Sequence, residues 1–348
     1  MAVDTSEKGF EENIEKILHM AGYGIRPLVG VHGEAFKNYA IDVDMLFKFL
    51  GETQPKELER LKKVYASDNY KNKVLKRITD ELKKRGLIDC LRHGIKDRGI
   101  TLRLIYNKPA TTMNQLLNEK YHGNIFTVSR QVYYSKNHNK SLDMVLFVNG
   151  FPVVVLELKN PLTHQTVQDA IKQFKHDRDP KEQLFYFNER VIVYFAVDTN
   201  EIFMTTELKR DKTFFLPFNK GYNGGKGNAP VDGNYKTHYL WEQILQPDSL
   251  LDLIFKFVYI ETSEILDSNG KPYDKRKRVI FPRFHQLEVV RKLEADVMQK
   301  SVGHNYLIQH SAGSGKTNSI SWLAHRLAKL HDEHNNSVFS SVIAMSSV

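Results

Sequence analysis

The chain holds one cysteine, Cys90, in 348 residues. That excludes an internal disulfide and suits a reducing compartment, so a cytoplasmic location is expected. No stretch approaches the roughly 18 apolar residues of a membrane-spanning helix, so no membrane association is expected. The polar opening MAVDTSEKGFEEN does not read as a signal peptide. Fourteen histidines show no Cys/His grouping with zinc spacing; His331 and His334 lack further ligands nearby. Repeats and low-complexity tracts are missing too. What remains is an ordinary globular composition, 41% hydrophobic and 26% charged, long enough for two or three cores. A formal charge of +9 and an isoelectric point near 9.2 favour a polyanionic partner.

One short stretch stands out: SLDMVLFVNGFPVVVLELKN, residues 141–160. Two apolar runs, Leu142–Val148 and Pro152–Leu158, flank an Asn149-Gly150 turn signal. Both runs are apolar on both faces, as central strands are. Set into them are Asp143, Glu157 and Lys159, and an unpaired buried charge costs several kcal/mol, roughly, unless something compensates it. Side chains alternate faces along a strand, so a strict two-residue loop pairs Asp143 with Leu156 and sends the two carboxylates to opposite faces. An odd loop or one bulge restores parity. We expect a three-residue loop, Asn149-Gly150-Phe151 or Val148-Asn149-Gly150, with Lys159 on the same face as both carboxylates.

Around this hairpin the pattern is α/β with a mixed sheet. Phe10–Met20 reads as an amphipathic helix with Glu11 bordering its buried face. Residues 24–120 read as a lysine-rich helical insertion. A strand follows over Asn124–Ser135, then the hairpin, a helix over Thr163–Phe174, and strands over Val191–Val197 and Ile202–Thr206. The glycine- and asparagine-rich stretch 214–233 is loop. Residues 236–278 read as a helical linker, with Asp248 capping its second helix. Lys271–Arg283 carries six basic residues, a docking surface with nucleic-acid contact as one use. The expected division is therefore 1–235, 236–278 and 279–348.

Two carboxylates on one face can hold Mg²⁺, which keeps its own waters and accepts a phosphate oxygen. A lysine two positions after the second carboxylate sits about 7 Å farther along the strand. There it can orient or deprotonate a water and counter phosphate charge. A buried inter-strand ion pair is the alternative use of the same three residues.

The phrase LDMVLFVNGFPVVVLELKNP resembles the nuclease segment of the R subunit of type I restriction endonucleases, the HsdR family. The likeness continues through GLIDCLRHGI (86–95), RQVYYS (130–135), LFYFNERVIVYFAVD (184–198), MTTEL (204–208) and FFLPFNKG (214–221). The resemblance implies a PD-(D/E)xK nuclease core and metal-dependent cleavage of double-stranded DNA. It implies Asp143 and Glu157 as metal ligands, Lys159 as the catalytic lysine, and Glu11 near the site. Family members carry Gln-x-x-x-Tyr on the helix after the lysine; Gln173 fits the first position, while Asp177 stands at the second. Methyltransferase and specificity subunits are the implied partners, with cutting after DNA translocation.

A second motif, HSAGSGKT (310–317), follows the apolar Tyr306-Leu307-Ile308 and precedes a helical pattern over 318–330. A glycine-rich turn at a helix N-terminus cradles phosphates, here with Gly313, Ser314 and Gly315. Lys316 would reach the β/γ-phosphates of ATP and Thr317 would place its hydroxyl on Mg²⁺. Gln286, in a Phe-His-Gln segment upstream, resembles the adenine-reading glutamine of superfamily 2 helicases. This predicts the start of a RecA-like ATPase domain, with strands over 306–308 and 338–345. No acidic Walker B segment or second lobe follows, so ATP binding without productive turnover is expected, as in the amino-terminal part of a longer R subunit. A non-cleaving nucleotide- or DNA-binding assembly module is the competing reading. A small-molecule ATPase or kinase would leave the hairpin charges unexplained.

Overall fold

The computed structural model describes residues 7–67, 69–109, 114–267, 269–300, 303–332 and 336–345, so His334 lies outside the described residues. Two compact units divide the chain: residues 1–108 with 116–281, and residues 109–115 with 282–348.

The first unit is built on a mixed seven-stranded sheet. Its strands are β1 (Gly24–Ile25), β4 (Phe126–Tyr133), β5 (Ser141–Val148), β6 (Phe151–Leu158), β7 (Val193–Val197), β8 (Ile202–Thr205) and β9 (Leu216–Pro217), lying side by side in that order. Strands β2 (Ile95–Asp97) and β3 (Ile100–Leu102) form a separate small hairpin. The β1/β4 and β6/β7 pairs are parallel and the others antiparallel. Every residue of β6, and every residue of β5 after Ser141, is buried. Each fully buried Val, Leu or Phe there contributes roughly 1.5–3 kcal/mol of transfer free energy.

Helix α1 (Glu7–Met20) buries Phe10, Ile14 and Leu18, with the Phe10 ring edge-on to Tyr235 and Trp241. The helical insertion comprises α2 (Gly30–Tyr39), α3 (Val43–Thr53), α4 (Pro55–Tyr65), α5 (Tyr70–Arg85), α6 (Leu87–His93) and α7 (Gln115–His122). After β6, helix α8 (Val167–His176) starts later than the expected Thr163. A capping box between Thr166 and Asp169 fixes the start, after a 3₁₀ turn and a left-handed His164. Val167, Ala170, Ile171 and Phe174 then pack into the core with Val145, Phe147, Val155 and Tyr194.

The hairpin turn departs from expectation. Val148 pairs with Phe151, so the loop is the two residues Asn149 and Gly150, both left-handed, as a type I′ turn requires. Parity is restored by the bulge instead. Leu146 pairs with Val154 and Phe147 with Pro152, leaving Val153 as the extra residue. Pro152 cannot donate to a ladder, which favours an interruption at that place. The Val153 carbonyl accepts from the Ile192 N–H. The turn itself is buried by the insertion: Asn149 bonds the Leu104 carbonyl and Asn124, and the Gly150 carbonyl accepts from Asp42 N–H.

The expected helical linker over 236–278 is helical only to Phe257, through two π-type turns (Leu240–Ile244 and Leu253–Phe257) and α9 (Pro247–Asp252). Pro247 holds the first helical position, so Asp248 lies inside the first turn rather than capping it; its carboxylate bonds Lys108 and Tyr121. Beyond it the chain forms a β-ribbon, β10 (Tyr259–Leu266) against β11 (Pro272–Ile280). Its cause is local: β-branched Ile260, Thr262 and Ile265 lead into an Asp267–Gly270 turn, and Glu261 and Glu264 pair across from Arg278 and Lys275.

The second unit contains α10 (Phe284–Lys300) packed against α11 (Lys316–Leu327). The strands expected at 306–308 and 338–345 do not form. Leu307 is 95% exposed, and the one β-bridge among the described residues of 303–345 is His331–Ser337. A strand exists only with a ladder partner, and none is supplied here. The RecA-like sheet expected over 279–348 is therefore not seen.

Candidate active site

The Val153 bulge brings the three hairpin charges together. Met144 pairs with Leu156, and one further step along that register sets Asp143 opposite Glu157. The Asp143 carboxylate accepts the Leu158 N–H at 2.7 Å, and Lys159 Nζ stands 3.8 Å from Asp143 Oδ2. All three side chains are buried, Glu157 completely. The Lys159 N–H donates to the Val197 carbonyl, extending the β6/β7 ladder past the strand and fixing the direction of the side chain.

A fourth charged group, not singled out in the sequence, closes the cluster. Arg178 follows α8 and is 1% exposed. Its Nε donates to Glu157 Oε1 at 2.7 Å, its Nη2 stands 2.6 Å from the same oxygen, and Nη2 also donates to the Ser141 carbonyl. The second carboxylate oxygen, Glu157 Oε2, is buried and has no hydrogen-bond partner. Burial first, and the neighbouring Asp143 carboxylate second, push the Glu157 pKa well above its ordinary value, against the pull of Arg178. Burial draws Arg178 down, but Glu157 and Tyr134 more than offset it, and its pKa is raised. The Arg178 guanidinium also lies 5.7 Å from the Tyr134 ring centre.

A cavity of about 750 Å³ opens beside Asp143, lined on one side by Glu11, Glu15 and Lys8 of α1 and on the other by Ser129, Arg130 and Gln131 of β4. Glu11 is thus brought to the same cavity as Asp143. Gln131, in a left-handed conformation, donates to Glu11 Oε1 at 3.0 Å and accepts from Ser141. Arg130 faces Glu15, Glu12 and Glu11. Gln173 is not brought in. It is half-buried on α8, outside the cavity lining and the described contacts of the carboxylates.

Among the described residues, no group of three or more His, Cys, Asp or Glu side chains converges as a metal cage. Two adjacent carboxylates, one with an orphaned buried oxygen, suit a hard divalent cation such as Mg²⁺. Mg²⁺ binds through one or two carboxylates and keeps waters in its other positions. The orphaned Glu157 Oε2 is the donor such an ion would satisfy.

In the second unit the glycine-rich turn leads directly into α11. Gly313 and Gly315 are left-handed, and Lys316 Nζ donates to the carbonyls of His310 and Ser311 at 3.2 Å. Ser314 is buried and Thr317 exposed. Gln286 is turned onto the turn: its Nε2 donates to the Ser314 and Gly315 carbonyls and its Oε1 accepts from Arg283 N–H. A Cβ at Gly315 would collide with that amide.

Residues 4–213 match the family described as Type I restriction enzyme R protein N terminus (HSDR_N). A Methanocaldococcus jannaschii protein named "Putative type I restriction enzyme MjaVIIIP endonuclease subunit" is 26% identical over 320 residues, covering 90% of this chain and 28% of that protein. The "Type I restriction enzyme HindI endonuclease subunit" of Haemophilus influenzae is 29% identical over 190 residues, 53% of this chain and 17% of that protein. The chain thus spans under a third of the length of these relatives. With the match covering well over half of its residues, the chain belongs to the type I restriction enzyme R protein family.

Proposed function

We propose that the first unit carries the DNA-cleaving site of an R subunit, hydrolysing phosphodiester bonds of double-stranded DNA with Mg²⁺. The observation that carries this reading is the buried, half-satisfied Glu157 carboxylate beside Asp143 and Lys159. Bound Mg²⁺ would supply positive charge against the phosphate oxygens. Asp143 and Glu157 would hold that ion, Arg178 anchoring one Glu157 oxygen so that the other points to the shared space. Lys159, beside Asp143, would orient the attacking water and counter the charge developing on phosphorus. Glu11 borders the cavity where the scissile strand would enter.

The ATP-dependent part of the reading rests on the turn at Gly313, Ser314, Gly315, Lys316 and Thr317. The Lys316 ammonium, now on two backbone carbonyls, would exchange them for the β/γ-phosphates of ATP. Gln286 would act on the turn rather than on adenine, since its amide is already engaged there. Translocation-coupled cutting in a complex with methyltransferase and specificity subunits is part of the same proposal, and family membership is its only support.

The competing reading, a non-cleaving module that binds nucleotide or DNA, is favoured by one observation: Arg178 already neutralises Glu157 as a buried ion pair. A cleavage assay of the assembled complex with Mg²⁺ and ATP separates the two. Asp143→Asn, Glu157→Gln and Lys159→Ala should each abolish cutting while ATP-driven translocation continues, and Lys316→Ala should abolish both. Cleavage surviving in Lys159→Ala would sink the nuclease assignment.

A further inference from the structure

The β10/β11 ribbon is used by neither site. Its root is fixed: Val279 is buried, its carbonyl accepts from Thr206 Oγ1 at 2.8 Å, and Phe281 packs on Phe195 and Phe218. Beyond the root, Pro272 to Arg278 are exposed without interruption, as are Glu261 to Glu264 across from them. A two-stranded ribbon wet on both faces contributes little burial to the fold. What it displays is four consecutive cations, Lys275 to Arg278. Alternation puts Lys275 and Lys277 on one face, Arg276 and Arg278 on the other, each pair about 7 Å apart along the strand. None of the four side chains makes an ion pair or hydrogen bond among the described residues. Tyr273 stands beside them, 67% exposed.

We propose that this ribbon is a second duplex-DNA contact of the chain, separate from the cleavage site, with its cations on backbone phosphates. The inference rests on the DNA-cleaving reading above. Three features select the partner. A two-stranded ribbon has the width that a B-DNA major groove admits. Cations on both faces suit an element flanked by the two phosphate walls of a groove rather than one laid flat on a protein surface. Lysine and arginine, here across from Glu261 and Glu264 at two positions but in no ion pair with them, are the side chains that release counterions from DNA.

The test uses the full chain and a duplex of arbitrary sequence, with affinity read by fluorescence anisotropy across a salt series in Ca²⁺, without Mg²⁺. Three proteins are compared. One is the wild type. One carries Lys275→Gln, Arg276→Gln, Lys277→Gln and Arg278→Gln. The third has the same charge removed from exposed helix lysines, Lys62→Gln, Lys63→Gln, Lys83→Gln and Lys84→Gln. The ribbon variant should lose at least ten-fold in affinity at moderate salt. Its salt slope should fall by roughly 0.9 per phosphate contact removed, with thermal unfolding unchanged. The helix variant should lose far less. Equal losses in both variants would reduce the effect to net charge and overturn the proposal. So would an unchanged slope in the ribbon variant with increased aggregation, which would make the cations protection of an open sheet edge or a docking surface for another protein. If the ribbon variant binds like wild type while Asp143→Asn still abolishes cutting by the complex, only this inference falls. If wild type shows no salt-dependent binding to duplex, the DNA reading falls with it.

Discussion

Arg178 and Glu157 meet at 2.6 Å with both side chains almost wholly out of water. One arginine, from just beyond α8, thereby fixes the orientation of a carboxylate in the middle of the sheet. Removing either partner leaves the other as an uncompensated buried group.

Arg178→Met should destabilise the fold by about 3–5 kcal/mol, read as a fall in the urea midpoint at unchanged slope. Replacing both residues, Arg178→Met with Glu157→Leu, should recover most of that loss in a double-mutant cycle. A cost near zero for the single change would mean the pair is solvated.

The metal-free protein should show a pH dependence traceable to Glu157. Its folded pKa is raised, so the folded state holds the proton more tightly than the unfolded chain. The resulting stability is complete below the unfolded pKa, ordinarily about 4.3, and is lost as pH rises through the folded value. Glu157→Gln should flatten that slope in unfolding measurements at stepped pH. Mg²⁺ should stabilise wild type more at the upper end of the window, because the ion replaces the proton.

Gly150→Ala should be among the most damaging single-atom-scale changes in the hairpin. Gly150 is left-handed at φ +84°, and a Cβ there would run into the Asp42 carbonyl. We expect a loss of at least about 1–3 kcal/mol, the range for a strained backbone position, visible as a lowered melting temperature. A neutral outcome would contradict the packing of α3 onto the turn.

Lys316→Ala should weaken ATP binding by the isolated chain at least ten-fold in a titration calorimeter. Gln286→Ala should weaken it less, by loosening the turn. If Gln286→Ala instead relaxes the preference for adenine over guanine without changing affinity for inorganic triphosphate, the amide reads the base after all.

How much of this is legible in the sequence depends on the range of the forces involved. Helix α1, the hairpin strands and β7/β8 follow from periodicity and a turn dipeptide, which are local signals. Asp143, Glu157 and Lys159 were marked by charge set into apolar runs, which is also local. Arg178 was not: a KHDRDP stretch after a helix looks like any solvated run, and only tertiary packing brings it 21 residues back to Glu157. The expected three-residue loop does not form: the loop has two residues and the extra one is Val153 inside the strand, because parity demands an extra residue without saying where it goes. The absent strand at 306–308 failed for the opposite reason. Its apolar pattern is sound, but a strand needs a neighbour, and none pairs with this stretch among the described residues.

The bulge also limits how this hairpin can vary over evolution. Lengthening or shortening the connection between Asp143 and Glu157 by one residue would transfer Glu157 to the other side of the sheet, so viable length changes come in twos. Across related chains, the number of residues separating the two acids should therefore stay odd or stay even together. Any lineage that breaks the rule should show a second bulge or a lost active site.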